Sequence, residues 1–367
     1  MSNEGNRVLM DNQSLLKRSR PRSCRPVKKN LATFIPASLY HPTSVVVLDD
    51  NESFLADLTF SLNERLSYVA FSEPNKALDF IERSYSGDEF EKAFSENFEA
   101  QEYGLKATEH QMKIDFSNLY KKVYNPKRFM ETTALVVDYE MPGIKGDVFC
   151  ERLQEKSIKK IMLTSEAVAQ IVVNLFNNGA LNKFISKSMP KYKRIINNLI
   201  EELQKSYFLE KSKTIYEVLS QNASFHLRDP IVREVFNEIC NTYNIVEYYM
   251  IDAKGNYLLI NYKGKPHFFV ICDEQELNEF KEVAKDQKAS PHILKLLVEG
   301  KKIPYFISNS EFMSASGNTW EAYLHPAQKI EGQKNYYYSL VTDNLLGLQT
   351  EKILSYNDYL MNVWPPS

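Results

Sequence analysis

Five short apolar runs in the first half of the chain break off into polar chemistry. They are Ser44–Leu48, Tyr68–Phe71, Ala134–Val137, Lys160–Leu163 and Lys183–Ser186. Apolar runs of this length, bounded by turn residues, read as strands buried on both faces. The intervening stretches carry helical spacing. Ser53 to Arg65 has an apolar side of Phe54, Leu55, Leu58, Phe60 and Leu62. A second helix starts at Pro74, a residue suited to the first helical position, and carries Ala77, Leu78 and Ile81. A third begins near Lys145 with Val148, Phe149 and Leu153. A fourth spans Ala167 to Asn177 and stops at Gly179, a left-handed cap, and a fifth spans Pro190 to Gln204. This alternation predicts an α/β domain over 43–205. It is a doubly wound, five-stranded parallel sheet with helices on both faces.

The alternation is interrupted at about 85–131. There Phe90, Phe94 and Phe98 recur at helical steps among charged residues, and Leu119, Val123 and Tyr124 predict a short helix ahead of Asn125-Pro126. Two readings stand: a stripe that packs back on its host domain, or a docking surface for a partner or second copy. The aromatic content argues against a disordered spacer.

After 205 the pattern changes. A helical linker at 206–221 leads into a second domain at 222–367. Asp229-Pro230 caps a helix with Ile231, Val235, Phe236 and Ile239 on one side. Val246–Ile251, Tyr257–Tyr262 and His267–Cys272, joined at Lys254-Gly255-Asn256 and Lys263-Gly264, predict two hairpins. Helices follow at Glu274–Gln287 and Pro291–Val298. Strands are predicted at Ile303–Ile307, Thr319–Leu324 and Tyr336–Val341, and a closing helix at Thr350–Met361. This is a smaller α+β domain with a mostly antiparallel sheet. It has no helix-turn-helix pattern and no cyclase or phosphodiesterase motif. The six histidines have no metal-ligand spacing and read as structural or solvated.

Composition adds limits. A net charge of -2 over 367 residues gives no global attraction to nucleic acid or acidic lipid. The four cysteines are widely spaced, no apolar run approaches the roughly 20 residues of a membrane span, and the first residues lack an apolar core. A soluble cytoplasmic protein is expected. Residues 1–42 form a basic arm, with Lys17, Arg18, Arg20, Arg22, Arg25, Lys28 and Lys29 interrupted by Pro21 and Pro26. A disordered tail and a surface for acidic partners are both open.

The strand ends carry the chemistry. Leu48 runs into Asp49-Asp50, Val137 into Asp138, Leu163 into Thr164, and Ser186 into Lys187. In open α/β sheets ligands bind at these carboxyl ends. Asp49, Asp50, Asp138 and the backbone carbonyl of Glu140 offer hard oxygen ligands for magnesium. Lys187 offers a point charge and Thr164 a hydroxyl donor for a phosphoryl group. Asp138 is then the nucleophile. Each residue alone is weak, since strand-end aspartates commonly cap helices. Their order along one sheet edge carries the case.

With these residues in hand, the domain resembles the receiver domain of bacterial two-component response regulators. The matching pieces are Leu48-Asp49-Asp50-Asn51, Val137-Asp138-Tyr-Glu-Met-Pro142-Gly143 with Gly146, Leu163-Thr164-Ser165, Gly179-Ala180 and Lys187. The resemblance implies a flavodoxin-like fold. It also implies phosphorylation of Asp138 by a sensor histidine kinase or phosphotransfer protein, and magnesium at Asp49, Asp50 and Asp138. It implies a switch made of Thr164 and Phe184. Helix four, strand five and helix five would form a homodimer surface. The whole chain is similar in arrangement and length to quorum-sensing response regulators of the Legionella type, which implies growth-phase signalling. Three features depart from the pattern. The insertion lengthens the stretch between Asp50 and Asp138. Ser188, not proline, follows Lys187, with Pro190 beyond it. Glu140 and Glu166 stand two residues after Asp138 and Thr164, where carboxylates could affect phosphoryl lifetime. For the output domain three classes stay open: nucleic-acid binding, protein or nucleotide binding as a phosphorylation-controlled adaptor, and an unrecognised enzyme.

Overall fold

Consecutive residues of the first apolar run face opposite layers. Val45 and Val47 join a core with Leu55, Leu58, Ile196 and Ile200, whereas Val46 and Leu48 join one with Ala77, Ile81, Phe149 and Leu175. Strand side chains alternate between faces, so a strand with a core on each side has no polar position to alternate with. The structure, a computed structural model, describes residues 35–84, 94–95, 113–153, 157–165, 174–219 and 226–364.

The first half runs β1 (Leu39–Tyr40), β2 (Ser44–Leu48), α1 (Glu52–Phe60), β3 (Tyr68–Phe71), α2 (Pro74–Ser84), β4 (Phe94–Ser95), β5 (Lys113–Ile114) and α3 (Ser117–Tyr120). It continues with β6 (Thr132–Asp138), α4 (Gly146–Arg152), β7 (Lys159–Thr164), β8 (Lys183–Ser186), α5 (Tyr192–Lys211) and α6 (Lys213–Leu219). Residues 174–177 are helical, and Gly179 follows in the left-handed region. The parallel sheet has the order β3-β2-β6-β7-β8, the doubly wound flavodoxin-like arrangement. α1 and α5 cover one face, and α2 and α4 the other. The strand order reverses between β2 and β6, so the crevice at the switch point opens at the carboxyl ends that carry Asp49 and Asp138.

The second half runs α7 (Pro230–Thr242), β9 (Ile245–Met250), β10 (Tyr257–Asn261), β11 (Pro266–Asp273), α8 (Glu274–Asp286), α9 (Pro291–Val298) and β12 (Lys302–Pro304). Then come α10 (Asn309–Ser314), β13 (Leu324–Pro326), β14 (Gln328–Glu331), β15 (Asn335–Val341) and α11 (Tyr356–Asn362). An antiparallel sheet in the order β1-β9-β10-β11-β15-β14 carries a large core with Phe236, Tyr249, Tyr257, Phe268 and Trp320.

Several expectations change. The arm ends earlier than 42: Ala37 and Leu39 are buried in the second core, and β1 pairs with β9. Phe94 lies in a strand paired with β5, not in a helix, while Phe90, Phe98 and residues 1–34 fall outside the described residues. Leu119 and Val123 do sit on helical turns, but they pack into the second domain's core rather than back on the parallel sheet. Ile231 is exposed, and Val232 takes its place beside Phe236 and Ile239. Residues Gly317–Tyr323 form a tight helical turn that buries Trp320, where a strand was expected from Thr319.

The two halves meet at the amino ends of the parallel strands. Tyr356 donates its hydroxyl to the Arg65 carbonyl at 2.7 Å, the Ser67 N–H reaches the Tyr356 hydroxyl at 3.2 Å, and the Trp364 indole N–H donates to Tyr68 at 3.0 Å. Phe129 packs against both Tyr356 and Tyr359, which stack on each other. The acidic residues stand at the opposite, carboxyl edge. α5 links the two: Tyr192 begins it at that edge, and Tyr207 and Phe208, about 23 Å along the helix, lie inside the second core. No helix among the described residues is long and apolar enough to cross a membrane.

Candidate functional site

Buried β2 and β6 lie side by side, so their last residues deliver carboxylates into one crevice. Asp49 and Asp138 are buried and Asp50 is exposed, and an oxygen from each lies within 4.8 Å of the others. Local bonds aim them. The Asn51 N–H donates to Asp49 Oδ1 at 3.0 Å, while the Asn51 side chain caps α1 by accepting from the Phe54 N–H. The Tyr139 N–H donates to Asp138 Oδ1 at 2.9 Å. Lys187, just past β8, places Nζ 2.7 Å from Asp49 Oδ2 and 3.0 Å from Asp138 Oδ1. The Lys187 N–H donates to the Thr164 carbonyl at 2.7 Å, which ties the lysine backbone to the end of β7. Thr164 is itself buried.

Two glycines shape the loop after Asp138. Gly143 adopts a positive φ of 83°. At Gly146 a Cβ would stand 2.2 Å from the Asp138 carbonyl oxygen, so only glycine lets α4 begin this close to the strand end.

The electrostatics are those of crowded acid. Burial raises the Asp138 pKa above the usual carboxylate range and the Asp49 charge adds to this, against the pull of Lys187. Burial lowers that of Lys187, but the two carboxylates outweigh it and the value is raised. Three carboxylates sharing one ammonium leave a negative set of hard oxygen donors. That set fits a small divalent cation of the magnesium type. In metal-free buffer, ionising Asp138 costs folding free energy. The stability it contributes is full below the unfolded carboxylate pKa and is lost as pH rises through the raised folded value. Asp138→Asn is therefore expected to melt above the wild type near about pH 7, with the margin shrinking toward about pH 4. A margin that grew on acidification would contradict this.

The residues expected from strand-end chemistry thus converge, with roles differing in their support. Lys187 bridges Asp49 and Asp138, and an Asp50 oxygen stands within 4.8 Å of theirs. Thr164 stands at the adjoining strand end, opposite Ser186 in register. Phe184 is half-buried against the α2 and α4 side of the sheet. Glu140 lies in the loop after Asp138 with an exposed side chain, and Glu166 is outside the described residues. Two residues were not singled out. The Lys187 ammonium lies 4.1 Å from the Phe54 ring centroid, and that ring stacks on Tyr192 at 6.2 Å. Phe54 follows Asp49 by one helical turn, yet nothing in the apolar spacing of α1 separates it from ordinary core residues.

A second cluster brings one histidine together with two carboxylates that its spacing in the chain did not reveal. Buried His226 approaches Glu276 at 2.6 Å, with Asp273 beside them. Its members satisfy one another. Glu276 also takes the Asp273 N–H and the Lys254 ammonium, and Asp273 caps α8 and pairs with Lys334. Against the effect of burial, His226 and Lys254 hold the Glu276 carboxyl down at about 2. This is an internally paired structural network.

No family model matches the sequence, and no curated relative matches it. Among solved structures, the chain is similar to the Legionella pneumophila response regulator LqsR. The two are 31% identical over 89% of this chain and 96% of that one, with a TM-score of 0.74. A CheY-like response regulator receiver domain protein from Methanospirillum hungatei is 16% identical, covering 46% of this chain and 98% of its own, with a TM-score of 0.29. A receiver domain of a Francisella response regulator is 12% identical, covering 45% and 98%, with a TM-score of 0.29.

Proposed function

The chain belongs to the response-regulator family of LqsR, and from that membership we propose that Asp138 accepts a phosphoryl group that controls the assembly of the protein. The observation that carries this reading is Lys187 Nζ bridging Asp49 and Asp138 at 2.7 and 3.0 Å. The donor is a phosphohistidine on a sensor histidine kinase or phosphotransfer protein. An Asp138 oxygen forms the new P–O bond as the P–N bond of the donor, whose ring is protonated on its other nitrogen, breaks; an acyl phosphate is left on this chain and a neutral imidazole on the donor. Asp49, Asp50, Asp138 and the Glu140 carbonyl would hold magnesium, which supplies charge neutralisation on the phosphoryl oxygens. Lys187 pairs with one phosphoryl oxygen, and Thr164 donates its hydroxyl to another. Phe184 turns further inward as Thr164 moves.

The output is dimerisation through the 174–177 helix, β8 and the first half of α5. Exposed Phe176 and Met189 on this face support the reading, and the second half of α5 is already covered by the second domain. By extension from its family, the chain works in the cytoplasm in cell-density or growth-phase signalling. Its non-enzymatic output domain spans about 222–367 behind the 206–221 linker. Beryllofluoride with magnesium mimics the acyl phosphate. Light scattering is expected to register a larger species for the wild type and none for Asp138→Asn. A wild type that binds beryllofluoride without changing size would refute phosphorylation-controlled assembly.

Phe54 positions Lys187 in this scheme. A cation over an aromatic face is worth about 0.5–2 kcal/mol. Phe54→Leu is thus expected to slow phosphorylation by acetyl phosphate roughly 2- to 30-fold, with the fold unchanged. A rate equal to the wild type would remove Phe54 from the account.

A further inference from the structure

Beside the second sheet lies a cleft of about 390 Å³, bounded by α8, β11 and residues 304–312. That is within the size range of small-molecule sites. One wall is aromatic. Phe280, Phe306 and Phe312 pack on one another with centroids 5.2 to 6.3 Å apart, so a guest has no room between them and must lie on their open side. Val270 and Val283 extend this wall.

The other end is polar and unbalanced. Asp252, Glu276 and Glu279 line it, with Lys254 as the facing cation. Lys254 is already paired with Glu276 at 3.0 Å. Asp252 accepts only neutral donors: the Lys254 N–H at 2.9 Å, the Asn256 N–H at 3.2 Å and the Asn256 side-chain amide at 2.6 Å. Among the described residues no basic group lies within ion-pair distance of it. Burial raises its pKa against the pull of its three hydrogen-bond donors and of the more distant Lys254 charge, so a cation brought into direct contact would add to what holds it ionised. Exposed Glu279 adds a second uncompensated carboxylate at the rim, where it accepts from Gln275. An anionic guest, phosphate included, would meet net negative charge here, whereas a cationic head would relieve it.

We propose that this cleft binds a small arylalkylamine, its ring on the Phe280, Phe306 and Phe312 wall and its ammonium at Asp252. The site is separate from the Asp138 crevice, and its occupancy does not depend on phosphorylation. Isothermal titration of the full chain with phenethylamine and with 3-phenylpropionate tests it, because the two probes share ring and chain and differ in the sign of the head group. Saturable binding of the amine is expected, with the carboxylate binding at least about tenfold more weakly. Asp252→Asn keeps an oxygen for the two backbone N–H groups and should weaken the amine about tenfold. Glu279→Gln, on the exposed rim, cannot unfold the core and should weaken it about twofold. No saturable heat with the amine would overturn the proposal. So would equal affinity for the two probes, or unchanged affinity in both variants.

Discussion

Arg128→Met is expected to destabilise the whole chain by about 3–5 kcal/mol, a loss read as a lower urea midpoint. Arg128 lies between the halves with its side chain fully buried, and it grips equally buried Glu247 with both prongs, at 2.7 and 2.9 Å. Its remaining donors reach the Leu354 carbonyl at 2.6 Å and the Asn125 carbonyl at 3.0 Å, and its plane lies over Phe129 at 4.0 Å. Glu247 in turn accepts the Tyr249 hydroxyl at 2.6 Å. Removing the guanidinium leaves a carboxylate inside protein with one neutral donor. Two charges taken from water together nearly offset their own desolvation, so most of the cost lies in the orphaned partner. The double variant Arg128→Met/Glu247→Gln should therefore recover much of the loss, a coupling a double-mutant cycle would register. Additive losses in that cycle would show that the pair is not what joins the halves.

Lys187→Met is expected to slow phosphorylation of Asp138 by about 10²–10³-fold, the scale of losing one preorganised charge stabiliser. The transferring group carries negative charge toward a carboxylate already raised by burial and by Asp49, and Lys187 is the ammonium that touches both acids. Losing the ammonium leaves Asp49 and Asp138 without their cation, so in metal-free buffer the variant should melt below the wild type while keeping its fold. Freeing the two carboxylates should, if anything, tighten magnesium, so calorimetric magnesium binding separates the two effects. A normal rate with weakened magnesium binding would move Lys187 from phosphoryl stabilisation to metal support.

The site was legible because buried parallel strands announce their own ends: an apolar run stops, and the next residue stands at the sheet edge. Asp49, Asp138, Thr164 and Lys187 were readable for that reason. What the chain order hides is long-range packing. β1 has two residues and no local pattern, and it becomes a strand only by pairing with β9 about two hundred positions on. Leu119 and Val123 show helical spacing, but nothing local says that they fill the second core rather than the first. At Thr319 to Leu324 the aromatic run suggested a strand. Gly317 at positive φ and the reciprocal capping of Ser316 and Thr319 instead wind a tight helix that buries Trp320. Phe54 and Tyr192 meet around Lys187 only because α1 and α5 share one face of the sheet.

The most direct test is the intact mass of the full chain after incubation with magnesium and acetyl phosphate, beside Asp138→Asn. A single phosphoryl adduct on the wild type, labile to hydroxylamine as an acyl phosphate and absent from Asp138→Asn, is the predicted result. An adduct of equal yield on Asp138→Asn would contradict the account at its centre, because the acceptor would then lie elsewhere in the chain.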